Sequence, residues 1–193
     1  MSVRAEALTP NQAARRGRVL DAAMELAAEG GYDAVQMRDV AARAQVALGT
    51  IYRYFSSKDH LLAACQVELW RGMADHFAAH PSTAADPADR VVHILERAMR
   101  GAEREPKRTA ALVTASSSPD PAVRDCQADI MATMDRVLQG AMGDVEATRR
   151  TQIALTLRQV WFAWLLGWVN GWNDAATVNR ELAATARLLL SPA

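Results

Sequence analysis

The side chains best suited to contact another macromolecule are concentrated in residues 50–58, which read TIYRYFSSK. Ile51 and Phe55 stand about one helical turn apart, which predicts that both face the protein interior. The outer side is then left to four polar residues, Thr50, Tyr52, Arg53 and Tyr54. Hydroxyl, phenol and guanidinium groups donate hydrogen bonds to phosphate oxygens and to base edges. The stretch therefore predicts a surface that binds nucleic acid.

Two short helices must position these groups. One of them carries four apolar residues on a single side, namely Met37, Val40, Ala41 and Ala44. After a break at residues 45–47, the other is predicted at residues 48–54. Two short helices joined by such a turn are typical of a helix-turn-helix, whose second helix enters the major groove of DNA. Gly49 costs a short helix about 1 kcal/mol relative to alanine, and a close approach to a DNA backbone would explain its presence.

Prolines and glycines divide the remaining sequence into lengths that are typical of helices. The first helix is predicted at residues 11–29, followed by the Gly30-Gly31 pair, which supplies a residue free to take a positive φ. Ser56, with Asp59 three residues on, is predicted to cap a fourth helix that runs to about His80. Later helices are predicted at residues 88–104, 107–117, 121–142, 147–173 and 175–190.

These elements predict an all-α protein of about nine helices. We expect a three-helix helix-turn-helix DNA-binding domain at residues 10–58, and a larger helical domain for effector binding and dimerisation at residues 59–193. The chain of 193 residues carries 22 basic and 22 acidic side chains, so its net charge identifies no partner. Half of its residues are hydrophobic, which favours a folded protein over a disordered one.

Several other classes of protein are disfavoured by the sequence. The longest apolar stretch, residues 158–174, is shorter than the ~20 residues that cross a membrane, so no membrane partner is expected. Cys65 and Cys126 are predicted to be reduced thiols of a cytoplasmic protein. Neither a glycine-rich phosphate loop nor a nucleophile elbow is present, so we expect no enzyme activity and no cofactor. His76 and His80 have the spacing of a metal pair, but without an obvious third ligand no metal site is predicted.

The helix-turn-helix stretch resembles the DNA-binding module of the TetR family of bacterial transcriptional repressors. The family's recurring pattern is met at nine positions, which are Ala44, Val46, Gly49, Thr50, Ile51, Tyr52, Phe55, Ser57 and Lys58. Three positions depart from it. Gln45 stands where the family often has glycine, and Gln36 and Ala47 replace the serine or threonine that usually caps each helix. The loss of such a cap costs roughly 1 kcal/mol of local stability.

The resemblance implies which residues contact DNA. They are Gln36, Arg38, Leu48, Gly49, Thr50, Tyr52, Arg53, Tyr54 and Lys58. Leu48 is equally suited to packing in the core, and Arg38 to a solvated helix face. Tyr52 and Arg53 are the strongest candidates for contact with DNA, because the inward positions are already occupied by Ile51 and Phe55.

The tryptophan-rich eighth helix and the last helix are predicted to form a dimer interface. Residues 158–174 hold four of the five tryptophans, and a helix that is apolar all round is buried all round. The last helix offers a second apolar face, made of Val178, Leu182, Thr185, Ala186 and Leu189. Packing both helices against their symmetry mates would give a homodimer, as in the TetR family, and a two-fold dimer matches a palindromic operator. The alternative is that these residues only fill the core of a monomer.

The family resemblance also implies a cavity for a small hydrophobic effector in the body. The candidate lining residues are Trp70, Met73, Phe77, Met99, Leu112, Met131, Met134, Leu138, Trp161, Phe162 and Leu165. Methionine adapts to irregular apolar shapes, so a methionine-rich cavity suits a hydrophobic ligand. Each of these residues is also suited to an ordinary helical core.

A narrower resemblance concerns the kind of effector. The run GGYDAVQMRDVAARAQVALGTIYRYFSSKDHLL, the ERAMR segment at residues 96–100 and the tryptophan-rich helix are similar to the actinobacterial repressors of cholesterol catabolism. This resemblance implies a steroid-derived effector, or its coenzyme A thioester. Taken together, the sequence predicts a repressor released from its operator by an effector. The alternative is a helical small-molecule-binding or scaffold protein without operator binding.

Overall fold

The computed structural model describes residues 9–191 and is all-α over that range, which confirms the predicted fold class. Its nine helices are α1 (Pro10–Ala34), α2 (Met37–Arg43), α3 (Leu48–Tyr54), α4 (Lys58–Ala79), α5 (Pro87–Arg104), α6 (Pro106–Ser116), α7 (Pro121–Met142), α8 (Ala147–Val169) and α9 (Ala175–Leu190). Residues 192 and 193, the end of the predicted body domain, lie outside the described residues.

Helix α1 is longer at its C-terminal end than the predicted range of 11–29. It starts behind a capping box, in which Gln12 N donates to Thr9 Oγ1 at 3.3 Å and Thr9 N donates to Gln12 Oε1 at 2.8 Å. Gly31 takes a φ of +74°, which interrupts the helix. The chain then makes one further turn up to Ala34. The glycine pair therefore supplies the expected positive φ but kinks the helix instead of ending it.

The cap of α4 is Ser57, so the predicted pairing of Ser56 with Asp59 is wrong. Ser57 Oγ accepts from the backbone N–H of His60 at 3.0 Å. Asp59 lies in the first turn of α4, where its charge favours the positive end of the helix dipole. Ser56 lies outside the helix and donates to Asp120 at the start of α7. A one-residue shift therefore turns the predicted cap into a link between distant parts of the chain.

Helix α8 ends at Val169 instead of reaching residue 173. Gly171 takes a φ of +74°, and the N–H groups of Gly171 and Trp172 donate back to Trp168 O and Gly167 O at 3.0 and 2.9 Å. This pair of bonds is the Schellman arrangement that closes helices at a left-handed glycine. Trp172 therefore lies beyond the helix, and 71% of it is exposed.

The buried apolar residues form two clusters. The first lies under α1, α2, α3 and the beginning of α4, and α6 contributes Ala111, Leu112 and Ala115 to it. The second fills the space between the rest of α4 and helices α5, α7, α8 and α9. Helix α4 runs from one cluster into the other, with Leu61 and Leu62 in the first and Val67 and Trp70 in the second. A displacement of α4 would therefore change the packing of both clusters.

The predicted apolar face of α9 points into its own protomer, which corrects the expectation that it meets a partner. Val178, Leu182 and Ala186 are fully buried in the second cluster, where α9 packs on α5 and α8. The large apolar residue that α9 exposes is Leu188, which is 77% exposed. Because α9 packs against α5, the apolar face that the helical periodicity predicted is buried within the protomer.

Four further findings concern the described part of the chain only. Between residues 9 and 191, none of the helices is long and apolar enough to cross a membrane. The same residues contain no cluster of three or more His, Cys, Asp or Glu side chains that would hold a metal. The rings of His76 and His80 stack on each other with centroids 4.6 Å apart. Cys65 and Cys126 are free thiols, and burial raises the pKa of both.

Candidate nucleic-acid interface and ligand cavity

Helix α3 presents a polar outer face on a firmly anchored inner one. Ile51 and Phe55 are fully buried in the first cluster, as the spacing predicts. On the other side, Tyr52 is 53% exposed and Arg53 is also exposed. The Arg53 guanidinium lies 5.1 Å from the centre of the Tyr54 ring, and its Nη2 donates to the Tyr54 hydroxyl at 3.1 Å. A cation and two phenols therefore stand together on one exposed surface.

The first turn of α3 is open to an approaching molecule. A Cβ atom built on Gly49 meets nothing within 4 Å, so no neighbour within the protomer requires glycine there. Leu48 and Thr50 on either side are half-buried, and Leu48 packs against the first cluster. The glycine therefore leaves free space above the helix that a larger side chain would occupy.

The turn between α2 and α3 has the geometry that explains the family's glycine. Gln45 takes a φ of +54°, the left-handed region that costs residues with a Cβ roughly 1–2 kcal/mol. Gln36 and Ala47 occupy the N-cap positions of α2 and α3 without a side-chain cap. The amide of Gln36 donates instead to Asp33 O at 2.9 Å. All three departures from the family pattern therefore fall where the backbone makes a specific demand.

The structure separates the basic residues of this region into paired and unpaired ones. Arg43 donates to both carboxylate oxygens of Glu29, at 2.6 and 3.0 Å, and this bond lowers the pKa of Glu29. Arg16 pairs with Glu68 at 3.0 Å. Among the described residues, Arg38 has no ion-pair or hydrogen-bond partner, and Arg53 bonds only Tyr54. Of the three cations that the sequence assigned to DNA, Arg38 and Arg53 therefore remain available, and Arg15 on α1 is a further exposed cation without a partner among the described residues.

Lys58 is already engaged within the protomer. Its Nζ donates to Tyr32 O at 3.2 Å and lies 3.7 Å from the centre of the Tyr32 ring. The Tyr32 hydroxyl donates in turn to Asp59, and this bond raises the pKa of Tyr32 to about 12. Lys58 therefore fastens the end of α1 to the start of α4, and its side chain is less available than that of Arg53.

Asp120 connects this region to α7. One of its carboxylate oxygens accepts from Ser56 Oγ at 3.1 Å and from Ser57 Oγ at 2.9 Å. The other accepts from the N–H of Ala122 at 2.9 Å and so caps α7. The Ala122 N–H, followed by the Ser57 hydroxyl, lowers the pKa of Asp120. A single carboxylate thus joins the segment between α3 and α4 to the first turn of α7.

This arrangement makes a contribution to stability that depends on pH. Because the pKa of Asp120 is lower in the folded chain, acid protonates the unfolded chain first and favours unfolding. We expect the free energy of unfolding, measured by urea titration, to fall less steeply in Asp120→Asn than in the wild type as the pH drops from 5 to about 3. Equal slopes in the two proteins would mean that these bonds do not hold the carboxylate in its ionised form.

A cavity of about 390 Å³ lies in the body between α4, α5, α6, α7 and α8. Seven of the predicted residues line it, which are Trp70, Met73, Met131, Met134, Trp161, Phe162 and Leu165. The indole rings of Trp70 and Trp161 meet edge to face, with centroids 6.5 Å apart. Ligand cavities in proteins have volumes of about 300–1,000 Å³ and mostly apolar walls, so this one is suited to a small hydrophobic molecule.

The other four predicted lining residues lie elsewhere. Phe77 borders a separate cavity of about 420 Å³ at the far end of α4. Met99 and Leu138 are buried in the second cluster, and Leu112 is buried in the first. Helical spacing shows which residues point inward, but it does not distinguish a cavity wall from a close-packed core.

Sequence reasoning missed the polar part of the wall. Seven polar side chains border the cavity, namely Gln66, Arg108, Thr109, Ser116, Gln127, Arg158 and Gln159. A signal existed for one of them, because Arg158 precedes Trp161 and Phe162 by one helical turn on α8 and so shares their face. Gln159 is its neighbour on α8, and the other five come from α4, α6 and α7, whose approach to the cavity depends on the packing of the helices.

Comparison with known proteins gives matches to both halves of the chain. Residues 19–65 match a family described as bacterial regulatory proteins, tetR family. Residues 84–189 match the tetracyclin repressor-like C-terminal domain. The chain is 37% identical over 180 residues to the HTH-type transcriptional repressor KstR of Rhodococcus jostii (strain RHA1), and the match covers 93% of this chain and 84% of that protein.

Solved structures show the same fold. A TetR transcriptional regulator from Rhodococcus sp. RHA1 superposes with a TM-score of 0.84 at 32% identity, covering 93% of this chain and 97% of that one. FadR of Thermus thermophilus, a repressor solved in complex with lauroyl-CoA, superposes with a TM-score of 0.71 at 22% identity. That second likeness covers 92% of this chain and 98% of the other, and it concerns the fold alone.

Proposed function

This chain belongs to the TetR family of bacterial regulatory proteins, and from that membership we propose that it is a ligand-responsive transcriptional repressor. It binds a palindromic operator as a homodimer and leaves it when a small hydrophobic effector occupies the body. The observation that carries the proposal is the outer face of α3. There Tyr52 and Arg53 are exposed, and neither is paired with an acidic side chain of the same protomer.

The operator contacts divide by chemistry. Arg53, Tyr52 and Thr50 on α3 face base edges, where a guanidinium and hydroxyls read donor and acceptor patterns. Arg38 and the amide of Gln36 on α2 contact phosphates, which position the protein without reading sequence. Gly49 allows close approach, and Leu48, Tyr54 and Lys58 support the edges of the contact. With a net charge of zero, specificity depends on these local contacts more than on long-range attraction.

A palindromic operator is bound by two copies of α3 at a fixed separation, which requires a dimer. Apolar side chains remain exposed on α8 and just beyond its end, among them Leu155 and Trp172. A two-fold axis that buries them against their copies would give a self-complementary interface. We place this dimer in the cytoplasm, where the operator DNA is found. The division into a DNA-binding domain at residues 10–58 and a body at residues 59–193 belongs to the same proposal.

The proposed effector site is the 390 Å³ cavity lined by Trp70, Met131 and Trp161. An apolar molecule with a steroid-like or acyl-chain body matches this wall. Two similarities support those classes, which are the sequence resemblance to repressors of cholesterol catabolism and the common fold with the lauroyl-CoA-bound FadR.

The helices that wall the cavity also reach the recognition helix. Helix α4 carries Trp70 and Met73 and begins at Lys58, four residues after α3 ends. Helix α7 carries Met131 and Met134, and its cap Asp120 bonds the serines between α3 and α4. An effector that favours a different spacing of α4 and α7 therefore biases the position of α3. Its affinity for the DNA-bound form must be lower by the same factor by which it weakens DNA binding.

A gel shift tests the proposal directly. The full-length protein is titrated onto DNA from upstream of its own gene, first alone and then with steroid acids and acyl-CoA thioesters. We expect a salt-sensitive complex that at least one of these hydrophobic compounds dissociates. Absence of a specific complex at any salt concentration would favour the alternative of a helical ligand-binding or scaffold protein without operator binding.

A further inference from the structure

One side chain in the effector cavity is chemically unlike its neighbours. Arg158 lies on α8 one turn before Trp161 and two turns before Leu165, and it lines the cavity with them. Only 12% of its side chain is exposed, which is unusual for a charged group. Removing a charge from water is unfavourable unless it is paired and hydrogen-bonded. The position of Arg158 therefore calls for a partner.

Within the protomer, Asp135 meets only part of this requirement. Arg158 Nε lies 3.1 Å from Asp135 Oδ1 on α7. Both atoms are buried, and neither has a well-aligned hydrogen bond. A guanidinium carries five N–H donors, and no hydrogen bond joins Nη1 or Nη2 of Arg158 to another of the described residues. Asp135 thus holds one edge of the guanidinium and leaves the outer edge free.

The charges along the cavity wall are of one sign. Its lining includes two guanidinium groups, Arg108 and Arg158, and no carboxylate. The rest of the wall is apolar or carries neutral amides and hydroxyls. A ligand that satisfies this surface has an apolar body and a negatively charged end. Carboxylates are the natural match, because their two oxygens accept a bidentate pair of bonds from the edge of a guanidinium.

We propose that the effector is an amphipathic carboxylic acid whose carboxylate binds Nη1 and Nη2 of Arg158, with Asp135 as the positioning residue. This inference rests on the proposed function, because it identifies the chemical class that the same cavity takes. It separates free acids from their neutral derivatives, which the size and the apolar lining of the cavity do not.

The test compares acids with their methyl esters. Tryptophan fluorescence of the full-length protein is titrated with dodecanoate, with lithocholate and with the methyl ester of each. Trp70 and Trp161 in the cavity wall report binding. We expect wild-type protein to bind each acid about tenfold more tightly than its ester, since a charge-assisted pair of bonds is lost on esterification.

Three variants locate the preference. In Arg158→Gln the preference for the acid should disappear while the ester binds as before. The double variant Asp135→Asn/Arg158→Gln should behave in the same way, and it avoids leaving Asp135 without its cation. Arg180→Gln is the control, because Arg180 lies on the exposed side of α9 and pairs with Glu181. It should keep the wild-type ratio of acid to ester affinity.

The outcomes distinguish this inference from the proposed function. If wild-type protein binds acids and esters equally, or if Arg158→Gln keeps the preference for acids, the role of Arg158 is overturned and the effector cavity stands. If none of the four compounds binds wild-type protein, both the cavity as an effector site and the role of Arg158 are overturned.

Discussion

Replacement of Tyr52 or Arg53 by alanine is expected to abolish operator binding in a gel shift, a loss of about a hundredfold in affinity. Each good contact to a base edge is worth about 1–3 kcal/mol, and a two-fold dimer makes it twice, so one substitution removes two contacts. Tyr52 is 53% exposed, and the partner of Arg53 within the protomer is the adjacent Tyr54. Both side chains can therefore be truncated without opening the core.

The control for this prediction is a cation far from α3. Arg100 is exposed on α5 and pairs with Glu96 on its own helix, so Arg100→Ala should bind the operator as the wild type does. Circular dichroism and thermal unfolding should show all three variants folded. Unchanged operator affinity in both Tyr52→Ala and Arg53→Ala would exclude α3 as the helix that reads DNA.

Leu182→Ala is expected to lower the free energy of unfolding by about 2–5 kcal/mol, the range for removing a fully buried leucine side chain. Leu182 is 1% exposed and packs in the second cluster between α9, α5 and α8. Leu188 lies on the opposite side of the same helix and is 77% exposed. The matched variant Leu188→Ala should therefore change the free energy of unfolding by less than about 0.5 kcal/mol.

Urea unfolding of the two variants at one fixed protein concentration checks this pair, because dimerisation makes stability depend on concentration. Packing of Leu182 within its own protomer and packing against a partner predict different results. If the stripe of Leu182 met a partner, Leu182→Ala would chiefly promote dissociation into folded monomers. A larger loss of stability in Leu188→Ala than in Leu182→Ala would contradict the packing described for α9.

Local sequence was sufficient wherever the structure depends on neighbouring residues. The limits of α3 match the prediction, and the inward positions of Ile51 and Phe55 follow from helical spacing. The departure at Gln45 falls at a left-handed backbone angle, which is why glycine is common there in the family. Propensity and spacing act over a few residues, so a pattern of this length carries the information.

The predicted helix ends were wrong where a residue suits two roles and a contact with a distant part of the chain determines which one it takes. Ser56 and Ser57 both have the hydroxyl that an N-cap needs, and Asp120, more than sixty residues later in the chain, accepts from both. Helix α8 was predicted to run through Gly171 because its apolar pattern continues to Trp172. The pattern does not show that a left-handed glycine closes the helix first.

The sequence by itself determined that the chain is all-α and that α2 and α3 form a helix-turn-helix with Tyr52 and Arg53 outward, since each of these depends on periodicity within a few turns. Only the tertiary structure decided which inward residues line a cavity, that the stripe of α9 faces α5, and that Arg158 stands in an apolar wall beside Asp135. A helix has several apolar positions, and the angle at which it crosses its neighbours selects which of them are close-packed and which border empty space.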